Sequence, residues 1–336
     1  MYILGAGFSA PHGLPVVRNF IEKAKDLFAR EPGKYAHFVD AFKVIDEYSK
    51  IKNLFKSDLL NVEEVLSLVE TRSQLLGEVF PNTFERFIND VVRAYTYPVG
   101  DKPAGPGGAP SSWPNFWNDS GGWRGYLNFV ASLFQLEARV HNGGASVVRR
   151  RCDVQYDVVT LNYDTLLEDC ASFIADAVDA RDGTIRFARP GDDQQAGSVS
   201  LSKIHGTVGG RIVPPTWAKA PRPEILREWQ AAYLVISKAN HIRVIGYSLP
   251  RADAYVHYLL KAAAADIAHL KTFDVITIDG DGSTRGRYDA LLEFHNYRFA
   301  NEPVQSCLYR LQPQAIDDQR SFNALERAHA ACMSKA

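Results

Sequence analysis

Apolar positions along the chain follow two patterns. Over 16–29, 35–51, 61–79 and 83–95 they recur at helical spacing, which predicts four helices. The third has a clear start: in Asn61-Val-Glu-Glu-Val-Leu-Ser-Leu-Val69 a capping residue and two early acids precede Val62, Val65, Leu66 and Val69. A further helix is predicted over 126–140. Between these, 97–123 is rich in Pro, Gly, Ser and Trp around Gly105-Pro-Gly-Gly-Ala-Pro110, and reads as a long loop. Its Trp113, Trp117 and Trp123 either line a site or, the commoner use, pin the loop to the body.

Beyond 150 the pattern changes to short apolar runs alternating with helical ones. Val158, Val159 and Leu161 are β-branched or aliphatic and too few for a helix, so they read as a buried strand. Asn162, Asp164 and Thr165 can then cap a helix whose inward face carries Leu166, Leu167, Cys170 and Phe173. Strands are predicted at 200–205, 242–247 and 273–278, helices at 224–239 and 251–265, a short hairpin at 207–213, and an outer helix at 315–335. A short apolar strand, Tyr2-Ile-Leu4, opens the chain. Alternation of this kind predicts an α/β fold: a Rossmann-like parallel sheet with helices on both faces. The sheet domain takes 1–15 and 150–312, a large helical insertion takes 16–149 with its Pro/Gly-rich loop near 98–122, and 313–336 forms a C-terminal helix. Strand exits in such a sheet share the carboxyl edge, where open α/β folds bind ligands.

Composition adds mainly exclusions. The chain has 336 residues, 46% hydrophobic and 23% charged, with 38 basic and 39 acidic residues leaving a net charge of −1. Neither direct nucleic-acid binding nor an anionic membrane surface is expected from that balance. There is no leader-like or bilayer-length apolar run, so a cytoplasmic location is expected. The four cysteines form no Cys-x-x-Cys pair and are expected to be ordinary thiols, with no metal site and no disulfide framework. Because the chain opens almost inside its first strand, a few residues are expected to be missing upstream.

The strand exits carry the chemistry. Gly5, Gly7 and Ala10 fit the dinucleotide pattern G-x-G-x-x-G/A, although a glycine-rich exit without a ligand explains these glycines equally well. Pro11 and Pro15 postpone the following helix, and no second strand ends in an acid at the usual interval, so an ordinary dehydrogenase half is excluded. Taken in order, Gly5-Ala-Gly-x-Ser9, Leu161-Asn-Tyr-Asp164, Lys203-Ile-His-Gly206, Ile245-Gly-Tyr-Ser-Leu-Pro250 and the acidic strand end at Asp279 resemble the sirtuin-like domains. More narrowly, the chain looks like the bacterial sirtuin-like NAD hydrolases of antiphage defence, whose members also tend to carry an Asn-Ile/Val-Glu-Glu segment in the helical insertion. The resemblance implies a sheet that binds NAD as substrate, without a metal, and a catalytic pair of Asn162 and His205. It further implies cofactor-binding positions at Gly5, Ala6, Gly7, Ser9, Asp164, Gly246, Tyr247, Ser248 and Asp279.

Residue chemistry agrees with these roles while leaving bland readings open. Cleaving the nicotinamide bond develops positive charge on the ribose, so acceptors and a positioned nucleophile are needed. Asn162 can orient ribose hydroxyls or water through its amide, or simply cap a helix; His205 can accept a proton, or be a turn residue before glycine. Asp164 either steadies the ligand or caps a helix. Asp279 either accepts from ribose hydroxyls or occupies a solvent-facing turn. Protein deacylases of the sirtuin family usually carry two Cys-x-x-Cys pairs after the His-Gly motif, and none follows His205. Three classes therefore stand: an NAD hydrolase, which is favoured; an NAD-dependent deacylase or ADP-ribosyltransferase, against which the missing pairs argue; and a non-catalytic NAD or ADP-ribose module, which would need neither Asn162 nor His205. An unrestrained NAD hydrolase would be toxic, so a homo-oligomer or an activating protein partner is expected, with the insertion and its loop regulating access or self-association.

Overall fold

Among the described residues the strands are, in chain order, β1 (Tyr2–Leu4), β2 (Leu136–His141), β3 (Gly144–Arg149), β4 (Val158–Thr160), β5 (Leu201–Lys203), β6 (His241–Ile245), β7 (Thr272–Thr277) and β8 (Tyr297–Asn301). Six of them form one sheet in the order β5-β4-β1-β6-β7-β8, and every pairing is parallel. Counted along the sheet's own strands this is the doubly wound dinucleotide-binding order, with its switch point beside β1. The fold class is thus α/β and Rossmann-like. The computed structural model describes residues 1–48, 50, 61–77, 81–96, 124–141, 144–149, 154–177, 185–189, 198–210, 212, 223–251, 253–265, 269–311 and 324–334. The loop predicted at 97–123, with its tryptophans, lies outside them.

Period-two alternation divides the strand residues between two cores. Tyr2, Leu4, Val158 and Ile245 face a cluster shared with the helices Phe20–Arg30, Phe38–Tyr48 and Pro81–Tyr95, where Phe38 and Phe87 pack edge to face with centroids 4.8 Å apart. Ile3, Val159, Val244 and Val275 face the opposite cluster, with Ile236 of the helix Pro223–Ser237 and Leu260 of the helix Ala254–Ala264. The helix Val62–Leu76 begins where the capping pattern puts it: Asn61 Oδ1 accepts from the amides of Glu63 at 2.9 Å and Glu64 at 3.2 Å.

Some expectations need correction. The helix predicted over 126–140 ends at Leu133, Gln135 adopts a left-handed φ of 55°, and β2 and β3 follow as an antiparallel hairpin. Leu136, Ala138 and Val140 alternate with Glu137, Arg139 and His141, a strand pattern that the i, i+4 spacing of Leu136 and Val140 disguises as helix. The stretch between β1 and β4 therefore carries a strand pair as well as helices. Strand β8 and the helices Ser283–Leu291 and Val304–Arg310 follow β7 without having been anticipated. Cys307 and Cys332 are bonded, with Cα atoms 6.0 Å apart, rather than being separate thiols, while Cys170 is free and buried.

The helix Ala324–Met333 is tied to the sheet by charge as well as by this bond. Arg243 of β6 grips Glu326 with both terminal nitrogens and also donates to Tyr2 Oη at 3.0 Å. His329 Nε2 lies 2.7 Å from Asp274 Oδ2, and Arg298 donates to both oxygens of Asp274 at 2.7 Å. No helix among the described residues is long and apolar enough to cross a membrane.

Candidate functional site

A cavity of about 840 Å³ opens at the carboxyl edge of the sheet, beside the switch point, and is bordered by the exits of β1, β4, β5, β6 and β7. That size falls within the usual range for small-molecule pockets, roughly 300–1,000 Å³. Its other wall comes from the helical region between β1 and β4, through Asn61, Val62, Glu63, Leu66, Ile88 and Val92.

The β1 and β6 exits meet backbone to backbone. Gly5 N donates to Ile245 O at 3.0 Å and Gly7 N to Gly246 O at 2.8 Å. A Cβ on Gly7 would stand 2.8 Å from Gly246 O, one on Gly5 would stand 2.6 Å from Tyr247 Cα, and Gly246 holds φ at +67° with Phe8 N only 2.2 Å from a built Cβ. These three glycines are thus required by the contact between the two loops, independently of any ligand. Ala6, Gly7 and Gly246 border the cavity. Further along the β6 exit, Leu249 is fully buried with φ of +51°, a strained conformation for a non-glycine residue beside a candidate site.

Asn162 leaves β4 buried, with 7% of its surface exposed. Its Nδ2 donates to Ser9 Oγ at 3.0 Å and its backbone amide donates to Thr160 Oγ1 at 3.1 Å, while Oδ1 is buried without a hydrogen-bond partner. Capping falls to Asp164 instead, whose Oδ1 accepts from Leu166 N at 3.1 Å. Burial pushes the Asp164 carboxyl up, against the opposing effects of Lys203, the Leu166 amide and the Ser9 hydroxyl. Ser9 therefore links Asn162 to Asp164 across the β1 and β4 exits.

His205, 3% exposed, follows β5 and borders the same cavity, its ring 6.2 Å from that of Tyr163. Its Nε2 stands 3.5 Å from Asp253 Oδ2, an oxygen that also accepts from Tyr247 Oη at 2.9 Å. Tyr247, assigned to ligand binding on sequence, thus turns its hydroxyl to a buried carboxylate, and burial holds its phenol well above the usual range.

At the β7 exit, Asp279 borders the cavity but its carboxylate starts a helix: Oδ1 accepts from Thr284 N at 3.2 Å and Oδ2 from Arg285 N at 2.9 Å. It is therefore a buried helix-starting residue at the cavity edge, not a solvent-facing turn residue. Ser248 is exposed at the cavity rim, and its carbonyl accepts from Arg287 Nε at 2.9 Å. Arg287 also donates to Thr284 Oγ1 at 2.9 Å and to Ser283 Oγ at 3.4 Å, all neutral oxygens, and it lines the cavity. Sequence reasoning missed Arg287, Asp253 and Tyr163. Asp253 falls inside the helix predicted over 251–265, which in fact begins at Ala254, and Arg287 lies in a helix that had not been anticipated. The site thus brings together a buried amide with a spare acceptor, an imidazole backed by a carboxylate, and a guanidinium at the rim.

No protein-family model matches the chain. No curated protein matches it either. Among solved structures, a crystal structure of Sir2 in complex with the inhibitor EX-527, 2′-O-acetyl-ADP-ribose and deacetylated p53 peptide aligns with 92% of this chain and 90% of its own, at 12% sequence identity and a TM-score of 0.32. A superposition that loose carries no argument about this site.

Proposed function

We propose that the protein hydrolyses NAD to nicotinamide and ADP-ribose, with Asn162 and His205 as its catalytic residues. The observation that carries this reading is the buried, unpartnered Oδ1 of Asn162 bordering the same switch-point cavity as His205, on the exits of adjacent parallel strands. An acceptor left unsatisfied in the protein loses roughly 1–3 kcal/mol that a ligand hydroxyl or water can return. In the reaction the bond between ribose C1′ and the nicotinamide nitrogen breaks and its electron pair stays with nicotinamide. Water attacks C1′ and gives a proton to His205, while Asn162, held by Ser9, orients the water or the ribose. Arg287, at the cavity rim, suits the pyrophosphate.

The motif resemblance supports a role as a regulated effector of antiphage defence, active as a homo-oligomer or with an activating protein partner. Chromatography of NAD incubated with purified protein, with and without candidate activators, tests the activity. Nicotinamide and ADP-ribose should appear together, and His205→Ala and Asn162→Ala should abolish most of that release while retaining NAD binding. Parent-rate hydrolysis by both variants overturns the assignment. Release that needs an acylated peptide transfers the site to deacylation, and binding without turnover makes it a non-catalytic NAD module.

A further inference from the structure

We infer that Asp253 is a positioning residue for His205, held in place by Tyr247, and that it makes Nδ1 the proton-accepting nitrogen. This rests on the hydrolase reading above for its catalytic meaning, while the geometry stands without it.

Asp253 occupies the N-cap position of the helix Ala254–Ala264, yet its side chain makes no capping hydrogen bond. The usual local use of an aspartate there is to accept from the amides of the first turn. Here the carboxylate turns away, is 2% exposed, and receives the Tyr247 hydroxyl at 2.9 Å. Burying a carboxylate away from water is costly unless charge or hydrogen bonds compensate. The same oxygen stands 3.5 Å from His205 Nε2, longer than a hydrogen bond, as catalytic contacts often are before a ligand tightens them. Besides His205 and Tyr247, the ionisable groups that feel or neighbour this carboxylate are Tyr163 and His257, with Glu63 approaching from the helical wall. Tyr247 is itself fixed, its carbonyl accepting from Tyr288 Oη at 2.9 Å.

Two consequences follow for the imidazole. A carboxylate facing Nε2 favours the tautomer with the proton on Nε2, which leaves the lone pair on Nδ1 for the water. When that water gives its proton to Nδ1 and its oxygen bonds to C1′, the imidazolium forms beside a buried anion. The attraction between them is far larger there than in solvent.

The test is nitrogen-15 NMR of histidine-labelled protein, parent against Asp253→Asn and Tyr247→Phe, alongside steady-state kinetics. The parent should show His205 protonated on Nε2, and Asp253→Asn should show a mixed or inverted tautomer. Its kcat should fall at least about 10-fold with KM for NAD nearly unchanged, and Tyr247→Phe should show smaller changes in the same direction. An unaltered His205 tautomer in both folded variants overturns the inference, as does a loss confined to KM. If Asp253→Asn does not fold, Tyr247→Phe alone decides between these results. A tautomer change on substitution, where the parent does not hydrolyse NAD, supports the positioning contact and overturns the activity reading instead.

Discussion

Gly7 and Gly246 touch backbone to backbone: the amide of one donates to the carbonyl of the other across 2.8 Å, and a side chain on either would enter the other's loop. Gly246→Ala should therefore destabilise the whole fold, by at least the roughly 1–3 kcal/mol of a left-handed non-glycine residue, and Gly7→Val should do so too. Gly280, with nothing within 4 Å of a built Cβ, is the control, and Gly280→Ala should stay within about 0.5 kcal/mol of the parent. Denaturant midpoints check all three. A Gly7→Val protein of parental stability that has lost only NAD affinity would return that glycine to the ligand.

Ser9 holds the Asn162 amide by a single side-chain bond of 3.0 Å. Ser9→Ala should free that amide to rotate and lower kcat by about 10-fold, the scale of one neutral hydrogen bond, with little effect on KM. Asn162→Ala in the same background should then cause a smaller further loss than it does alone. Strict additivity in this double-mutant cycle would count against coupling.

Arg287 joins the β6 exit to the helix Ser283–Leu291 through Ser248 and Thr284. Arg287→Ala should raise KM for NAD about 10-fold with kcat retained, since a guanidinium facing phosphate contributes to binding on the order of 1.5–3 kcal/mol when well placed. Arg287→Lys should restore only part, because a lysine's compact ammonium lacks the planar fork that reaches Ser248 and Thr284 while also presenting paired donors to phosphate. Affinity measured at two ionic strengths completes the test: a salt dependence unchanged by the substitution would remove Arg287 from the binding site.

Acid should loosen the C-terminal helix. Burial pushes the Glu326 carboxyl up, but the Arg243 hydrogen bonds and charge, with the Tyr156 hydroxyl, outweigh it and hold the group below its ordinary range. Asp274 behaves alike: burial raises it, and the bonds from His329 and Arg298 bring it below its ordinary value. A depressed carboxylate stabilises the fold fully above its unfolded value of about 4 and loses that contribution as pH falls through the lower folded value. The stability difference between parent and Glu326→Gln should thus be largest near neutral pH and shrink below about pH 4. A difference that stays constant between pH 7 and pH 3 would show that the pair contributes through packing alone.

Features set by neighbouring residues were legible in the sequence, and features set by distant ones were not. Asn61 announces its helix because the cap and its two amides lie within three residues. The strand exits at Gly5, Asn162, His205 and Gly246 were readable because short apolar runs stop there at glycine or polar residues, and the parallel order then brings them to one edge. The hairpin at β2 failed because its alternation also satisfies helical spacing at Leu136 and Val140. Asp253 was hidden for a different reason: it falls inside the helix predicted over 251–265, and only the packed structure begins that helix after it and turns the carboxylate to His205. The bond between Cys307 and Cys332 likewise joins two helices with no spacing signal between them.

The cavity's chemical wall and its shape-giving wall belong to different elements. Asn162 and His205 stand on strand exits locked into the sheet, whereas Val62 and Leu66 present the first turns of a helix outside it. Exchanging those two side chains for smaller or larger ones would change the cavity's shape from an element that contributes no strand to the sheet. Under the proposed activity, ligand scope would then be set through one helix face while Asn162 and His205 stay unchanged.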